Sequence, residues 1–390
     1  MSIEPIYIAG VGSISSLGSS SAVAVDSLKS GESKISLNEI GGEEVPVAAL
    51  TSDSNNELLK LQSERKSFSE LDRTNLLAIH ASREAFANSK WTNPSEVGVI
   101  IGSSRGATAK FETCHAQFIE KHKLPPLTSP LTTQGNISSW VAQDLMLDCV
   151  AVSHSVTCST ALHSIGNALA WINSGMCDSF LVGGSEAPLT PFTLAQMKAL
   201  RIYSSKKLAP FCKPCDSDNQ SENTLVLGEG AAVFAVCTEK KLQNKPIAKI
   251  VGFGCAQEQI ASHTHISPEG DAFCSSMARA KASMKDPKSI DLLVMHAPGT
   301  KLGDDAELSA IKTVFDPKLP ILTSNKWIVG HTFGASGAMS LEYAIYCLQS
   351  NSWIELPFDS KISNSSCDIK TVMINAAGFG GNAVSIIVSL

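Results

Sequence analysis

The chain has 390 residues, 43% of them hydrophobic and 17% charged, so it can bury a sizeable core in two domains or one large fused unit. Its 31 basic and 37 acidic residues give a net charge of −6, which argues against a general nucleic-acid-binding surface. The chain lacks a signal peptide and any run of about 18 apolar residues, so we expect a cytoplasmic protein without a membrane span.

The first half of the chain alternates strand and helix patterns. Apolar runs at residues 5–15 and 97–104 are typical of buried strands, and the periodicity of residues 73–89 predicts an amphipathic helix between them. A helical pattern rich in Ala, Gly and Ser follows Cys158 and leads to another apolar strand at residues 179–187. This alternation predicts an α/β fold.

Cys158 lies where a β-branched run gives way to that helical pattern. The N-terminus of a helix offers free N–H groups and a positive dipole end, which bias a thiol towards thiolate and can stabilise a nearby oxyanion. A nucleophile is therefore one interpretation of Cys158. A buried structural cysteine is the other, because small buried thiols are common in protein cores.

The chain has eleven cysteines without the spacing of a disulfide framework, which predicts reduced thiols. Cys212 and Cys215 form a Cys-x-x-Cys motif, but neither a second such motif nor a pair of histidines at the spacing of a zinc site follows it. A structural zinc site needs such a further pair of ligands. We therefore interpret the motif as part of a loop and expect no metal.

A faint internal repeat relates the second half of the chain to the first. Patterns like those of the strand at 5–15, the strand at 97–104, the segment around Cys158 and the strand at 179–187 recur, in order, at residues 247–257, 291–300, 329–351 and 371–381. We predict two similar halves, residues 1–240 and 246–390. In the repeat, His331 takes a place like that of Cys158.

Further reactive side chains follow the strands of the second half. His296 leaves an apolar strand for a loop with Gly and Pro, and Asp304 and Glu307 come at the start of the next predicted helix. Lys326 shortly precedes His331. A single histidine after a strand is more often structural than catalytic. Several such residues at strand ends and helix starts of a repeated chain favour a catalytic site.

Seven motifs carry a resemblance to a known family. In chain order they are AGVGSISSLG, TCSTAL, GGSEA, GEGAAV, HAPGTKLGDDAE, NKWIVGHTFGASG and GFGGN. In this order and spacing, over essentially the whole chain, they resemble the β-ketoacyl-acyl carrier protein synthases of the thiolase superfamily, in the elongating type with a Cys-His-His triad. The resemblance implies a five-layered αβαβα thiolase-like fold from two pseudo-repeated halves.

The resemblance also implies an acyltransferase. It would catalyse decarboxylative Claisen condensation of an acyl thioester with malonyl-acyl carrier protein, in fatty-acid or polyketide/polyene-type biosynthesis. Cys158 would be the nucleophile, and His296 and His331 would donate hydrogen bonds to the malonyl thioester carbonyl. Lys326 and Glu307 match a buried pair behind the histidines.

Other roles are implied in the same way. The backbone N–H groups of Cys158 and Phe379 would form an oxyanion hole, and the Phe379 side chain would gate the acyl pocket. Thr300 matches a threonine that binds the phosphopantetheine arm of the carrier, and Asp304 matches a second acid of the same loop. No metal and no permanently bound cofactor is implied.

Three departures from the family pattern bear on substrate choice. Pro298 replaces one of two expected pantetheine-binding hydroxyls, and Ala377 stands where a second phenylalanine is expected, two positions before Phe379. Residues 210–231 lack the usual spacing of Asp and Arg. These changes leave the triad intact but favour a specialised pathway as an alternative to housekeeping fatty-acid synthesis.

The implied partner is a small acidic acyl carrier protein, so a basic rim is expected at the mouth of the pocket. Arg201, Lys206 and Lys207 are candidates for that rim, and an ordinary solvated loop is the alternative. The family implies a homodimer that pairs through a central strand near Cys158. A heterodimer with a homologous subunit stays open.

Three other functions were weighed. A coenzyme A thiolase shares the fold but needs a late Cys-x-Gly motif, which AAGFGGN lacks. A chain-length-factor-like subunit without activity normally lacks the nucleophile that Cys158 supplies. A papain-like hydrolase fits the two histidines and Lys326 poorly.

Overall fold

Strands and helices alternate along the chain in the computed structural model, which describes residues 3–218, 222–260, 262, 266–362 and 368–390. The strands are β1 (Ile6–Ser15), β2 (Ser36–Ile40), β3 (Glu43–Ala48), β4 (Val97–Gly102), β5 (Ala151–Val152), β6 (Ser179–Glu186), β7 (Leu227–Gly228), β8 (Gly230–Cys237), β9 (Ala248–Gln257), β10 (Leu292–Val294), β11 (Ile321–Thr323), β12 (Thr371–Gly378) and β13 (Asn382–Ser389).

The helices are α1 (Ser21–Lys29), α2 (Ser52–Glu64), α3 (Arg73–Ser89), α4 (Thr108–Lys121), α5 (Thr128–Thr132), α6 (Asn136–Leu145), α7 (Thr160–Asn173), α8 (Pro191–Ala199), α9 (Asp271–Ser283), α10 (Lys301–Phe315), α11 (Lys326–Val329) and α12 (Ser336–Ser350). Short 3-10 turns lie at residues 68–70, 94–96, 239–241 and 333–335. The alternation confirms the predicted α/β class.

The strands of the main sheet repeat one order in each half of the chain. In the described residues the order is β11-β10-β12-β13-β9-β1-β8-β6-β4-β5. Read outwards from the centre, β1-β8-β6-β4-β5 matches β9-β13-β12-β10-β11. The two sets meet where residues 6–8 pair with residues 248–250 in antiparallel register. The strand order thus repeats the similarity of the two halves seen in the sequence.

Three helix layers enclose the two sets of strands. Helices α3 and α6 contact the outer side of the first set, α7 and α12 lie between the two sets, and α9 and α10 contact the outer side of the second. The order is helix, sheet, helix, sheet, helix, so the expected five-layered αβαβα fold is confirmed. Small residues allow the two helices of the middle layer to pack closely. A Cβ on Gly337 of α12, for example, would lie only 2.6 Å from Leu162 of α7.

The fold brings several strand ends and helix starts to one place. Strands β4, β6, β10 and β12 run parallel within their sets and end at Gly102, Glu186, Val294 and Gly378. Helix α7 starts just after Cys158. In α/β sheets the carboxyl ends of the strands are the usual position of functional sites. Among the described residues, none of the helices is both long and apolar enough for a transmembrane segment.

Candidate active site

Cys158 lies in a tight turn directly before helix α7. Thr157 adopts a left-handed conformation with φ 49°, which is unusual for a β-branched residue and marks a strained turn. The Thr160 hydroxyl holds this turn closed, since it accepts from the N–H of Val156 (2.8 Å) and donates to the carbonyl of Thr157 (2.6 Å). The Cys158 side chain lies at the base of a cavity and is only 9% exposed.

The ionisation of Cys158 differs from the sequence expectation. The pKa of the thiol is raised to about 12, mainly by burial and also by the Glu186 carboxylate, although the charges of Arg105 and Lys326 act in the opposite direction. The helix N-terminus was expected to favour thiolate, but a helix dipole contributes only about 1 kcal/mol. Desolvation outweighs it. Cys158 is therefore a thiol at rest, and thiolate forms only when the proton is removed during the reaction.

His296 and His331 face each other at the same cavity. Their ring centroids are 5.2 Å apart, with the rings nearly perpendicular, and both rings line the cavity with Cys158. The backbone of His331 is fixed by Val226, whose carbonyl accepts its N–H at 2.7 Å. Burial and the Lys326 charge lower the pKa of His331 to about 3 and that of His296 well below its ordinary value. Both imidazoles are thus neutral near pH 7 and can each donate one N–H.

Glu307 holds the end of strand β10 in place. Its carboxylate accepts the backbone N–H groups of His296 and Ala297, both at 2.9 Å, and the side-chain amide of Asn375 at 3.0 Å. Burial raises its pKa, and these hydrogen bonds counteract the rise. Glu307 therefore orients the backbone that carries His296.

Lys326 is fully buried behind the histidines, but its hydrogen bonds differ from the expected pairing with Glu307. Within the described residues, its ammonium group bonds to the side chains of Asn325 and Ser340, both at 3.1 Å, and these two bond to each other at 3.0 Å. Burial lowers the pKa of Lys326 to about 8, while the Glu307 charge raises it. Glu307 and Lys326 interact through the field between them and not through a direct ion pair.

Asp304 links two loops at the start of α10. Its carboxylate accepts the backbone N–H of Cys215 at 2.8 Å and that of Thr300 at 3.2 Å. Burial raises its pKa to about 8. Cys215 and Cys212 are buried free thiols in a loop, as predicted, and the Cys212 sulfur lies 3.6 Å from the Pro298 carbonyl oxygen. Asp304 thus fixes the loop that presents Thr300 to the cavity.

The glycine turn after β12 approaches the nucleophile closely. A Cβ on Gly378 would lie 2.9 Å from the backbone nitrogen of Cys158, so only glycine fits at this position. The carbonyl of Phe379 accepts from the side chains of Asn382 (3.0 Å) and Thr157 (3.4 Å). The Phe379 side chain is 43% exposed and lines the cavity. The turn therefore places the Phe379 backbone beside Cys158 and its ring at the cavity opening.

The cavity has a volume of about 340 Å³ and a mostly apolar lining. The lining includes the two residues that depart from the family pattern, Pro298 and Ala377, as well as Thr300. Its apolar side chains are Met197, Leu200, Ile202, Leu225, Ile266, Phe273, Leu302 and Phe333. A hydrocarbon chain and a slender polar arm match such a lining.

The proposed basic rim is not part of this lining. Lys206 and Lys207 border a separate surface cavity beside residues 208–210, and the Lys207 ammonium group donates to the carbonyl of Glu44 at 2.7 Å. Arg201 is exposed two residues after the end of α8. Their role in binding a partner stays a prediction.

The sequence analysis quoted Glu186 in GGSEA but gave it no role. The Glu186 carboxylate is fully buried and accepts from Ser103, Ser104, Arg105 and Gly334 at 2.6–3.1 Å. Because Gly334 follows shortly after His331, Glu186 ties the loop after β4 to the segment that carries this histidine. A buried carboxylate with several donors could be recognised only once the fold brought those donors together.

Phe333 was also missed. Its ring centroid lies 5.6 Å from that of His331, and the Arg105 guanidinium lies over the ring, 5.0 Å from its centre. The motif NKWIVGHTFGASG contains Phe333, but only its lysine and its histidine carry an obvious chemical signal.

Together these residues can support acyl transfer through a cysteine. The site combines a buried thiol, two neutral imidazoles that can each donate a hydrogen bond, and a backbone turn beside the thiol. Such groups fit a nucleophile, donors for a developing enolate and donors for a tetrahedral oxyanion.

Comparison with known proteins places this geometry in context. One family model, described as "Beta-ketoacyl synthase, N-terminal domain", matches residues 3–241, and its counterpart for the C-terminal domain matches residues 247–356. A 3-oxoacyl-[acyl-carrier-protein] synthase 1 from Buchnera aphidicola subsp. Baizongia pistaciae is 30% identical and covers 99% of each chain. A 3-oxoacyl-[acyl-carrier-protein] synthase 2 from Staphylococcus aureus is 27% identical and covers 97% of each chain.

Solved structures share the fold over the full length. The ishigamide ketosynthase/chain length factor matches with a TM-score of 0.86 at 20% identity, covering 100% of this chain and 99% of that one. A beta-ketoacyl synthase from Burkholderia phymatum STM815 matches with a TM-score of 0.85 at 24% identity and the same coverage. At these identities the similarity is one of fold.

Proposed function

The chain belongs to the β-ketoacyl synthase family, and on that basis we propose that it is a β-ketoacyl-acyl carrier protein synthase with Cys158, His296 and His331 as its catalytic triad. The observation that carries the proposal is that these three side chains line one cavity, although they come from both halves of the chain. The reaction is a decarboxylative Claisen condensation in two half-reactions.

In the first half-reaction Cys158 takes the acyl group from its carrier. Its sulfur bonds to the thioester carbonyl carbon, the bond from that carbon to the carrier sulfur breaks, and the proton of Cys158 ends on the carrier thiol. The backbone N–H groups of Cys158 and Phe379 stabilise the tetrahedral oxyanion. Close packing of Gly378 on the Cys158 backbone supports this arrangement.

In the second half-reaction malonyl-acyl carrier protein loses carbon dioxide. His296 and His331 donate hydrogen bonds to the malonyl thioester carbonyl and stabilise the enolate that forms. The enolate carbon bonds to the acyl carbon, the bond to the Cys158 sulfur breaks, and one proton restores the thiol. The lowered pKa values of both histidines support this role, since neutral imidazoles do not protonate the enolate.

Other side chains hold these groups in position. Glu307 fixes the backbone of His296, Asp304 fixes the loop of Thr300, and Lys326 sets the charge behind the histidines. Thr300 contacts the phosphopantetheine arm of the carrier, and Phe379 gates the mouth of the cavity. The phosphopantetheine arm enters with the substrate and is not a resident cofactor.

The proposed partners are an acyl carrier protein and a second subunit. Strand β5 is the last strand of the main sheet in the described part of the chain, and Val152 on it is 40% exposed. Helix α4 exposes the apolar side chains Phe111, Phe118 and Ile119. An exposed strand edge favours pairing through β5, and exposed apolar side chains are typical of a surface that a partner covers. A homodimer is proposed, and dependence on a homologous chain-length-factor-like subunit is the second candidate.

Intact-protein mass spectrometry tests the function directly. The protein is mixed with acyl-carrier thioesters of several chain lengths, alone and with malonyl-carrier, with Cys158→Ala as control. An acyl adduct on the unmodified protein alone, and a β-ketoacyl product after malonyl addition, support the proposal. Acylation without product supports dependence on a second subunit, and an adduct on the control contradicts the nucleophile.

A further inference from the structure

Phe333 adopts a strained conformation that the surrounding structure imposes. Its φ is 42°, in a region that bulky side chains rarely enter. The N–H of the next residue, Gly334, donates to Glu186 at 2.9 Å, and the Gly334 carbonyl oxygen lies 2.8 Å from where a Cβ on Gly184 would be. Strain of this kind persists only where several contacts fix the backbone, and it is concentrated at functional sites.

The ring of Phe333 contacts two side chains. The His331 ring contacts it edge to face, with centroids 5.6 Å apart, and the Arg105 guanidinium lies 5.0 Å from the ring centre. Arg105 is itself fixed, since its side chain donates to Gln196 (2.5 Å) and its backbone N–H to Glu186 (3.1 Å). Aromatic contact and cation–π attraction each favour the ring in this place.

Exposure of the lining residues distinguishes the mouth of the cavity from its deep end. Leu302 and Phe379 are 78% and 43% exposed, so they lie at the mouth. Met197 (3%), Leu225 (3%) and Phe333 (4%) are buried and pack in one apolar cluster with Cys158. The carrier arm enters from the mouth. The acyl group on Cys158 must therefore find its space at the deep end, among these buried side chains.

We propose that Phe333 ends the acyl pocket and restricts Cys158 to short acyl groups, an inference that rests on the proposed function. A longer chain would meet a ring that cannot turn aside without losing its contacts with His331 and Arg105. Ala377 does not relieve this limit, because it packs with Phe273 in a different apolar cluster from that of Cys158 and Phe333. Phe333 is thus a specificity-determining residue and not part of the triad.

The test is acylation of Cys158 by a matched series of carrier thioesters, from acetyl and butanoyl to decanoyl and hexadecanoyl, followed by intact-protein mass spectrometry. Phe333→Gly removes the ring and relieves the positive φ, and Phe333→Leu keeps an apolar side chain if the glycine variant does not fold. Phe315→Leu is the control, since Phe315 is a buried phenylalanine on helix α10 outside the cavity lining, and Lys281 lies 4.5 Å from its ring centre. A thermal melt confirms that each variant is folded.

The unmodified protein is expected to load the short groups in preference to the long ones. Phe333→Gly should raise the ratio of decanoyl to butanoyl loading at least about tenfold, the effect of about one methylene group in a tight pocket, and the control should leave it unchanged. Equal loading of all chain lengths by the unmodified protein overturns the inference. So does a decanoyl-to-butanoyl ratio that is the same in both Phe333 variants as in the unmodified protein. No loading of any length contradicts the proposed function itself.

Discussion

The imidazoles of His296 and His331 stand edge to face with their centres 5.2 Å apart, and each has a buried Nδ1 atom without a hydrogen-bond partner among the described residues. Neither ring has a carboxylate to stabilise a positive charge, and Lys326 opposes one. Two neutral imidazoles that meet at one cavity fit a pair of hydrogen-bond donors better than a general acid. The predictions below depend on this arrangement and on its surroundings.

Replacing Cys158 with alanine should abolish both acyl-enzyme formation and condensation, because the mechanism has no second nucleophile. The measurement is the mass of the intact protein after incubation with an acyl-carrier thioester. Cys274→Ala is the matched control, since Cys274 is a partly buried free thiol on α9 outside the cavity. Persistent acylation of the Cys158→Ala variant would show that Cys158 is not the nucleophile.

Replacing His331 with alanine should slow malonyl decarboxylation at least about a hundredfold, the effect of removing one donor to an oxyanion. Loading of the acyl group on Cys158 should fall much less, since that step does not use the malonyl donors. Carbon dioxide release and acyl-enzyme formation are measured separately. An equal loss in both steps would mean that His331 also acts in the first half-reaction.

The buried histidines should make the protein sensitive to acid. Folded His331 stays neutral down to about pH 3, whereas an unfolded histidine takes up a proton near its ordinary pKa of about 6.5. Between these values the unfolded state binds more protons, so stability falls on acidification by up to about 1.4 kcal/mol per pH unit for each such histidine. Urea unfolding at several pH values should show a smaller loss for His331→Asn, and an unchanged slope contradicts the assignment.

The Lys326 ammonium group should titrate within the pH range of a decarboxylation assay, because its hydrogen-bond partners carry no negative charge to hold the proton. Burial lowers its pKa to about 8, so it loses its charge as the pH rises through that value. Ser340→Asp places a carboxylate beside the ammonium group and should move the corresponding step in the pH profile of decarboxylation upwards by at least about one unit. Ser340→Ala is the control and should leave the step near its original pH. If the step in the pH profile does not move in the Ser340→Asp variant, it reports the titration of a group other than Lys326.

Arg105 should also affect the thiol, because its positive charge lowers the pKa of Cys158. Arg105→Gln removes that charge and should shift the pH dependence of Cys158 alkylation by iodoacetamide to higher pH. Glu186→Gln should shift it to lower pH, since the Glu186 carboxylate raises the pKa of the thiol. Shifts in the same direction in both variants would show that the two substitutions act through packing and not through charge.

Much of the fold could be predicted because its signals are local. The predicted helix at residues 73–89 has the bounds of α3, and the apolar runs at 5–15 and 97–104 contain β1 and β4. Hydrophobic periodicity reports which face of an element is buried, and this needs no knowledge of distant residues. The internal repeat also indicated that the second half of the chain has the same order of elements as the first. The motifs then indicated Cys158, His296 and His331 as candidate catalytic residues, because thiol and imidazole groups are recognisable as reactive from the residue type alone.

The tertiary structure decided what depends on contacts between distant residues. It placed Glu186 among donors from the loop after β4 and from Gly334. It also brought Phe333 into contact with His331 and Arg105, and gave Lys326 neutral hydrogen-bond partners instead of Glu307. It also reversed the expected ionisation of Cys158, because desolvation depends on everything that surrounds a group and a helix start is only one neighbour. Residue types are written in the sequence, whereas burial and charge environment arise only when the chain is folded.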